Sequence, residues 1–302
     1  MSSAYRGWTL ADIGDLEGRT VIVTGASSGI GAATARALAV AGARVIAAVR
    51  DLGKGRHTTA GMRGRVEVRH LDLSDLASVR QFADGINDDI DVLVNNAGVM
   101  GVPHARTVDG FELQLGTNHL GPFALTGLLL PCLRDRVVTV SSQAHRQGRL
   151  RLDDLHAERG HYEPSAAYAA SKLANLLFAY ELHRRFQAAG SPLRSLAAHP
   201  GLAQSNLLHQ AAPTLRLRIT AFAQRHLGQP TAAGALPLLY AATADLPGGS
   251  YVGPDGFYQL RGHPTLVDSS AASKDLGHAA ALWDLSEQMT GTAFDLAAAR
   301  RR

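Results

Sequence analysis

The chain has 302 residues, of which 46% are hydrophobic and 19% are charged, so it is able to bury a full core. Its formal net charge is +4, but Lys and Arg are scattered apart from a terminal run at 300–302, which argues against a nucleic-acid surface. The single cysteine, Cys132, excludes an internal disulfide and indicates a reducing compartment, so we expect a cytoplasmic protein.

The sequence carries no membrane or metal signal. Its amino terminus lacks the apolar run of a signal peptide, and no window of about 18 apolar residues predicts a membrane span. The 13 histidines show no metal-ligand spacing. We therefore expect neither a transmembrane segment nor a bound metal.

The first predicted unit is a strand, a glycine turn and a helix. Thr20–Thr24 is a β-branched apolar run that predicts a buried strand, and a helix is expected over 32–41. Gly25, Gly29 and Gly31 lie between them. Such a turn lets the backbone approach a pyrophosphate, which the helix N-terminus also attracts. The spacing differs from the commoner G-x-G-x-x-G, so the position of the turn is the stronger indication.

The second predicted strand, 43–49, ends at the pair Arg50 and Asp51. An acid at this place would bind the ribose 2′-hydroxyl of NAD, whereas an arginine would pair with the 2′-phosphate of NADP. Both types are present, so from these residues alone the choice depends on register.

The rest of the chain continues the alternation of strands and helices. Further strands are predicted at 65–71, 91–94, 136–140, 193–198 and near 250–252. Helices are predicted after Ser74, at 108–120 with a continuation to 130 beyond Gly121 and Pro122, from the Tyr168 region to 187, and at 279–289. This pattern predicts an α/β fold in one domain, 1–302, with a doubly wound parallel sheet.

Tyr168 and Lys172 are four residues apart on a predicted helix, so their side chains share one face. An ammonium near a phenol favours the phenolate and lowers the tyrosine pKa, which suits proton transfer near neutral pH. Alone, such a pair is also common on ordinary amphipathic helices.

Taken together, the motifs resemble those of the short-chain dehydrogenase/reductase family. The matching segments come in the family's order over about 18–260: Thr24-Gly-x-x-x-Gly-Ile-Gly31, Asp72, Asn95–Gly98, Asn118, Ser142, Tyr168-x-x-x-Lys172 and Pro200-Gly201. The resemblance implies a Rossmann-type fold and a hydride-transfer enzyme.

The resemblance implies four catalytic residues. Tyr168 would be the general acid in reduction and the base in oxidation, and Lys172 would lower its pKa and bind the nicotinamide ribose. Ser142 would hydrogen-bond the substrate carbonyl, and Asn118 would hold a water in a proton relay. Ser141 is the rival of Ser142, but the family places the catalytic hydroxyl at the second serine of such a pair.

It also implies a cofactor site. Asp72 and Leu73 would contact adenine. The full expected set is Gly25, Ser27, Ser28, Gly29, Ile30, Gly31, Arg50, Asp72, Leu73, Asn96, Ala97, Gly98, Tyr168, Lys172, Pro200 and Gly201. The family's NAD-binding acid is replaced by Val49, and Arg50 matches the base of NADP-preferring members, with Lys54 nearby. We expect NADP to be preferred and NAD to remain possible, with Asp51 starting a helix.

Ser142 and Tyr168 are 26 residues apart, a longer gap than in shorter family members. Together with Ser141–His145 and Asn118–Phe123 it resembles the retinol dehydrogenase and protochlorophyllide reductase-like branch, which handles lipophilic carbonyls and alcohols. The leader 8–16 looks like that of soluble bacterial members, without a membrane anchor. The family often pairs the helices that carry Asn118 and Tyr168, so a homodimer or homotetramer is expected.

Substrate choice is expected in 202–228, where a mobile lid, a membrane-touching amphipathic helix and a core-packed helix are the alternatives. The tail 261–302 is predicted to be helical, with Trp283 as a packing anchor. The sequence thus predicts an NADP-preferring oxidoreductase acting on a carbonyl or alcohol. Rival hypotheses are a double-bond reductase, an epimerase and an NADPH-binding sensor without turnover.

Overall fold

The computed structural model describes residues 7–203 and 228–296. Most of the predicted substrate segment 202–228 therefore lies outside the described residues, and the three alternatives for it remain predictions. Within the described part of the chain, no helix is long and apolar enough to cross a bilayer.

The described residues form one eight-stranded sheet with the order β3-β2-β1-β4-β5-β6-β7-β8. The strands are β1 Thr20–Thr24, β2 Arg44–Val49, β3 Arg65–His70, β4 Ile90–Asn95, β5 Leu133–Val140, β6 Arg194–Ala198, β7 Tyr251–Pro254 and β8 Pro264–Leu266. All neighbours pair in parallel except β7 and β8. The strand order changes direction between β1 and β4, and ligands of such sheets bind at that point.

Helices cover both faces of the sheet. They are α1 Gly29–Val40, α2 Leu52–Thr59, α3 Leu76–Asp84, α4 Leu113–Leu115, α5 Gly121–Leu129, α6 Pro164–Ala188, α7 Thr231–Thr243 and α8 Leu276–Thr290. One hydrophobic core lies beneath α3, α5, α6 and α8, and the other lies beneath α1 and α7. In β2, Ile46 belongs to the first core and Val45 to the second, so the strand is buried on both faces.

The structure differs from two predictions about one helix, and it contains two elements that were not predicted. The helix expected from residue 108 begins at Leu113, and the expected break at Gly121 and Pro122 does not occur. Instead a π-helical turn, Gly116–Leu120, leads directly into α5, whose first turn contains Pro122. Proline is tolerated there because the π-helical turn before it already departs from the regular i→i−4 ladder, with the Gly121 N–H donating to the Gly116 carbonyl five residues earlier. The structure also adds α7 and β8, which the sequence pattern did not predict.

The carboxy-terminal helix α8 closes the outer side of α5 and α6. Trp283 is 2% exposed, and its ring centroid lies 5.1 Å from that of Phe123 on α5 and 5.9 Å from that of Phe178 on α6. Phe294 completes this aromatic cluster at 4.5 Å from Trp283. The predicted role of Trp283 as a packing anchor is confirmed. A helix of the same chain therefore covers the face through which subunit pairing was expected.

Candidate active site

The glycine turn after β1 is packed against the loop that follows β4. Gly25 has a φ of +68°, and a Cβ built on it would lie 2.9 Å from the Ala97 Cα. A Cβ on Gly31 would lie 2.5 Å from the Asn96 Nδ2. The Thr24 Oγ1 accepts hydrogen bonds from the backbone N–H groups of Asn96 at 3.0 Å and Ala97 at 2.9 Å. Only glycine fits these two positions, which brings bare backbone to the surface of the turn.

A cavity of about 560 Å³ opens above this turn. Ser28 precedes α1 in an extended conformation and its side chain does not cap the helix. Twelve of the expected cofactor residues line the cavity: Gly25, Ser27, Ser28, Gly29, Ile30, Gly31, Arg50, Asp72, Leu73, Asn96, Ala97 and Gly98. Exposed backbone at a helix N-terminus suits the phosphates of a dinucleotide, so the residues present fit the expected cofactor.

Asp51 and Arg50 have different surroundings at the far end of the cavity. The Asp51 Oδ1 accepts a hydrogen bond from the backbone N–H of Lys54 at 2.9 Å and so caps α2. The prediction that Asp51 starts a helix is confirmed. The Arg50 and Lys54 side chains form no ion pair with any residue in the described ranges, and both line the cavity. Val49 is buried in the second core.

Asp72 holds the loop after β3 in place. Its Oδ1 accepts from the Ser74 backbone N–H at 2.9 Å and from the Ser74 hydroxyl at 2.6 Å. The helix predicted after Ser74 is capped by Asp75, whose side chain accepts from the Ala77 N–H, and Ser74 does not cap it. The Ser74 hydroxyl is instead used to orient Asp72.

Tyr168 and Lys172 are both buried on α6, with 8% and 4% of their surfaces exposed. The Lys172 Nζ donates a hydrogen bond to the Val140 carbonyl at 3.0 Å and lies 5.7 Å from the Tyr168 ring centroid. Burial raises the pKa of Tyr168 to about 12 and lowers the pKa of Lys172 to about 8. Desolvation of the phenolate therefore raises the pKa of Tyr168, whereas the sequence predicted that the ammonium would lower it.

The two rival serines have different partners. Ser141 is 2% exposed, and its hydroxyl donates to the Lys172 carbonyl at 2.8 Å. Ser142 is partly exposed, and its Oγ accepts from the Ala144 N–H at 3.2 Å. A hydrogen bond from Ser142 opposes the burial effect by lowering the pKa of Tyr168. Ser142 thus faces the tyrosine, whereas the Ser141 hydroxyl is used inside the fold.

Asn118 lies on the π-helical turn and is 1% exposed. Its Oδ1 accepts from the Val99 N–H at 2.8 Å, and its Nδ2 donates to the Val99 carbonyl and to the Ser171 Oγ, each at 2.9 Å. Both amide hydrogens are used, so the side chain locks the loop after β4 onto α6. The π-helical turn aims this amide, which a regular helix would carry at a different angle.

A second cavity, of about 320 Å³, contains the expected catalytic groups. Ser142, Tyr168, Lys172, Pro200 and Gly201 line it. Ile30, Asn96 and Gly98 line both cavities, which therefore adjoin each other. Asn118 lines neither, but a Cβ on Gly98 would lie 2.9 Å from its Oδ1.

Sequence reasoning missed His199 and Gln259, which pack behind Gly201 and Gln143 in the lining of the second cavity. His199 is fully buried, its Nδ1 accepts from the Gly201 N–H at 3.2 Å, and its Nε2 lies 3.2 Å from the Gln259 Oε1. Burial lowers the pKa of His199 to about 3, so the ring is neutral and Nε2 donates. Gln143 also donates to Gln259. No local sequence pattern identifies Gln259 as a residue near the site, because only the connection between the antiparallel strands β7 and β8 brings it next to His199.

Within the described ranges, no group of three or more His, Cys, Asp or Glu side chains is arranged to hold a metal ion.

Comparisons with known proteins agree with this geometry. A family model described as short chain dehydrogenase matches residues 19–215. Human retinol dehydrogenase 11 is 47% identical over 65% of this chain and 65% of its own length, and mouse retinol dehydrogenase 14 is 38% identical over 93% and 88%. The chain thus spans about two thirds of the human relative. A crystal structure of an uncharacterized Mycobacterium paratuberculosis protein has a TM-score of 0.84 and 55% identity, covering 96% of this chain and 99% of that one.

Proposed function

Because the chain belongs to the short-chain dehydrogenase/reductase family and to its retinol dehydrogenase-like branch, we propose that it transfers hydride between NADP(H) and a carbonyl or alcohol substrate. One observation carries the proposal. A proton donor, a hydroxyl and an ammonium line a cavity that adjoins the dinucleotide-sized cavity at Ile30, Asn96 and Gly98. Hydride and proton can therefore reach one substrate from two sides.

Tyr168 supplies the proton in the reducing direction. Since burial raises its pKa to about 12, the phenol is protonated at neutral pH and is in the form that donates. The substrate carbonyl oxygen takes this proton as negative charge develops on it, while the bound reduced nicotinamide supplies the hydride. In the oxidising direction the phenol must first lose its proton, which the same burial disfavours.

Ser142 holds the substrate oxygen beside Tyr168. Its Oγ already accepts from the Ala144 N–H at 3.2 Å, and its hydroxyl hydrogen, which is directed at the Tyr168 oxygen, can be given to a substrate oxygen placed beside that phenol. A positioned donor aimed at a developing alkoxide lowers the barrier because no solvent has to reorganise.

Lys172 binds the nicotinamide ribose and adds positive charge. Among the described residues, one of its three hydrogens is used, by the Val140 carbonyl at 3.0 Å. The remaining hydrogens suit the hydroxyls of a ribose in the adjoining cavity. The Asn175 amide donates to the same Val140 carbonyl at 3.0 Å and helps to fix this anchor.

The charges around Arg50 support NADP as the preferred cofactor. Asp51 is the acid that could have selected the ribose 2′-hydroxyl, but its Oδ1 is used to cap α2. Arg50 and Lys54 both line the cavity and suit a 2′-phosphate.

The substrate we propose is a lipophilic carbonyl or alcohol. Apolar side chains of Met100, Ala144, Leu202 and Leu260 line the second cavity beside the polar catalytic groups. An apolar pocket with a few convergent polar groups is typical of small-molecule sites. The single cysteine, half-buried Cys132, supports the reducing cytoplasm as the place of action.

The deciding experiment is turnover of an aldehyde and ketone panel with NADPH and with NADH, run with wild type and Tyr168→Phe. Alcohol formation that the substitution abolishes, with NADPH binding retained, supports the proposal. NADPH binding without turnover across the panel would favour a sensor. Reduction of a conjugated carbon–carbon double bond, with the carbonyl intact, would favour the double-bond reductase.

A further inference from the structure

His145 lies directly behind Ser142, in the short 3-10 turn Gln143–Gln147, and is fully buried. Its Nε2 is 3.1 Å from the backbone N–H of Ser270, which can only donate. The ring therefore accepts at Nε2 and carries its hydrogen on Nδ1. Nδ1 lies 2.6 Å from the Ser142 carbonyl oxygen and so donates to it.

The Ser142 carbonyl receives a second hydrogen bond from the His145 backbone N–H at 3.0 Å. Two donors occupy both lone pairs of this oxygen and fix the plane of the peptide that leaves Ser142. Ser142 itself is extended, with φ −157° and ψ 156°, and its Oγ is held by the Ala144 N–H. The direction of the Ser142 hydroxyl is thus set by the turn Gln143–Gln147, which the His145 imidazole stabilises on the side away from the cavity.

The other side of the imidazole is held by the carboxy-terminal part of the chain, beyond the residues 19–215 that the family model matches. Besides the contact from Ser270, the Arg146 Nη2 donates to the Asp268 carbonyl at 2.6 Å. The Tyr251 ring lies edge-on to the imidazole at 5.7 Å between centroids. Three contacts therefore join the turn after Ser142 to the first residue of β7 and to the segment that follows β8.

We propose that His145 is a positioning residue that links the carboxy-terminal segment to the Ser142 hydroxyl. The inference rests on the proposed function, in which Ser142 binds the substrate oxygen. His145 does not act on substrate directly, because it is fully buried, uses both ring nitrogens and is absent from the lining of the second cavity.

Three substitutions separate the two arms of the imidazole. In His145→Asn the side-chain amide can replace the Nδ1 donor toward Ser142, whereas in His145→Gln it reaches the Nε2 position toward Ser270. With nonanal and NADPH as the assay pair, we expect His145→Asn to keep most of kcat. His145→Gln and His145→Ala should lose about tenfold to a hundredfold in kcat, with KM for NADPH unchanged, because small misplacements of catalytic groups cost about that much. Equal losses for the Asn and Gln variants would overturn the proposal.

His183→Ala is the matched control, since His183 is a partly buried imidazole packed on Gly248 away from the cavity. It should lower Tm and leave kcat unchanged. A further comparison places His145→Ala in a Ser142→Ala background, where it should cause no additional loss of kcat/KM. Independent, multiplicative losses would show that His145 does not act through Ser142.

Two outcomes distinguish the inference from the function beneath it. Full activity of Ser142→Ala would remove the proposed role of Ser142. A normal Ser142 defect with no defect in His145→Ala would remove only the positioning role. A crystal structure of His145→Ala tests the geometry without activity: we expect the Ser142 carbonyl and Oγ to shift, and unchanged positions would contradict the proposal.

Discussion

The ammonium of Lys172 donates a hydrogen bond to the carbonyl of Val140, 3.0 Å away. Val140 is the last residue of β5 and Lys172 lies on α6, so this hydrogen bond connects the helix to the sheet. This tie fixes the distance between helix and sheet at the point where chemistry is proposed. It also keeps a cation in a buried place, where burial lowers its pKa to about 8. The cost of that burial can be measured.

Replacing Lys172 with methionine should stabilise the protein at neutral pH. A folded pKa of about 8, against the ordinary lysine pKa of 10.5, means that the unfolded chain binds more protons between these pH values. Stability of the wild type should therefore rise with pH across that window, by about 3 kcal/mol at most. Lys172→Met should lose this slope and be more stable below pH 8, by chemical denaturation. An unchanged slope would show that the ammonium is not desolvated.

Tyr168→Phe should lower kcat by about a hundredfold to ten-thousandfold, the usual contribution of a positioned acid. The phenol of Tyr168 is buried and lies beside Ser142, so its removal should not disturb the first cavity. NADPH binding, followed by nicotinamide fluorescence, should stay within a factor of about two. Tyr180→Phe is the control and should retain activity, since Tyr180 lies on the same helix but its hydroxyl donates a hydrogen bond to the Ser269 hydroxyl.

The two adjacent serines should separate activity from stability. Ser142→Ala should lower kcat by about a hundredfold, because a donor to the developing alkoxide is lost. Ser141→Ala removes a buried hydrogen bond to the Lys172 carbonyl and should lower the free energy of unfolding by about 1 kcal/mol. A larger kcat loss for Ser141→Ala than for Ser142→Ala would reverse the assignment.

Arg50→Ala combined with Lys54→Ala should raise KM for NADPH by about tenfold or more and leave KM for NADH nearly unchanged, since only the former has a 2′-phosphate to pair. Arg56→Ala is the matched control, since Arg56 is exposed on α2 like Lys54 but does not line the cavity. A parallel loss for both cofactors would indicate that these cations do not select NADP.

Trp283→Ala should cost about 3 to 5 kcal/mol of stability, because it leaves a cavity in the cluster of Phe123, Phe178 and Phe294.

Since α8 already covers α5 and α6, we expect the wild type to be monomeric by light scattering at micromolar concentration. A stable dimer whose contacts map to α5 and α6 would contradict this prediction.

Strands such as Thr20–Thr24 were predictable because all their residues are buried, and such strands consist almost entirely of β-branched or apolar residues. The π-helical turn at Asn118 was not, since its extra residue per turn depends on backbone register rather than on composition. Pro237 concealed α7, because proline normally ends a helix. Strand β8 has three residues, too few for any period to show.

The expected site residues were chosen by motif, and the structure brings all of them except Asn118 to two adjoining cavities. What the sequence could not supply were the side chains that hold them: Thr24 against the β4 loop, Ser171 against Asn118, and His145 behind Ser142. Each acts through a hydrogen bond across 3 to 72 positions of sequence, and residue type alone does not indicate the partner.

The packing of Trp283 of α8 against Phe123 and Phe178 bears on how activity depends on protein concentration. An oligomeric enzyme loses its partner at low copy number and can lose its active geometry with it. If the chain is monomeric, as predicted above, it has no association equilibrium to satisfy. Its activity per molecule should then stay constant on dilution to nanomolar concentration, and α8 would take the place of a neighbouring subunit.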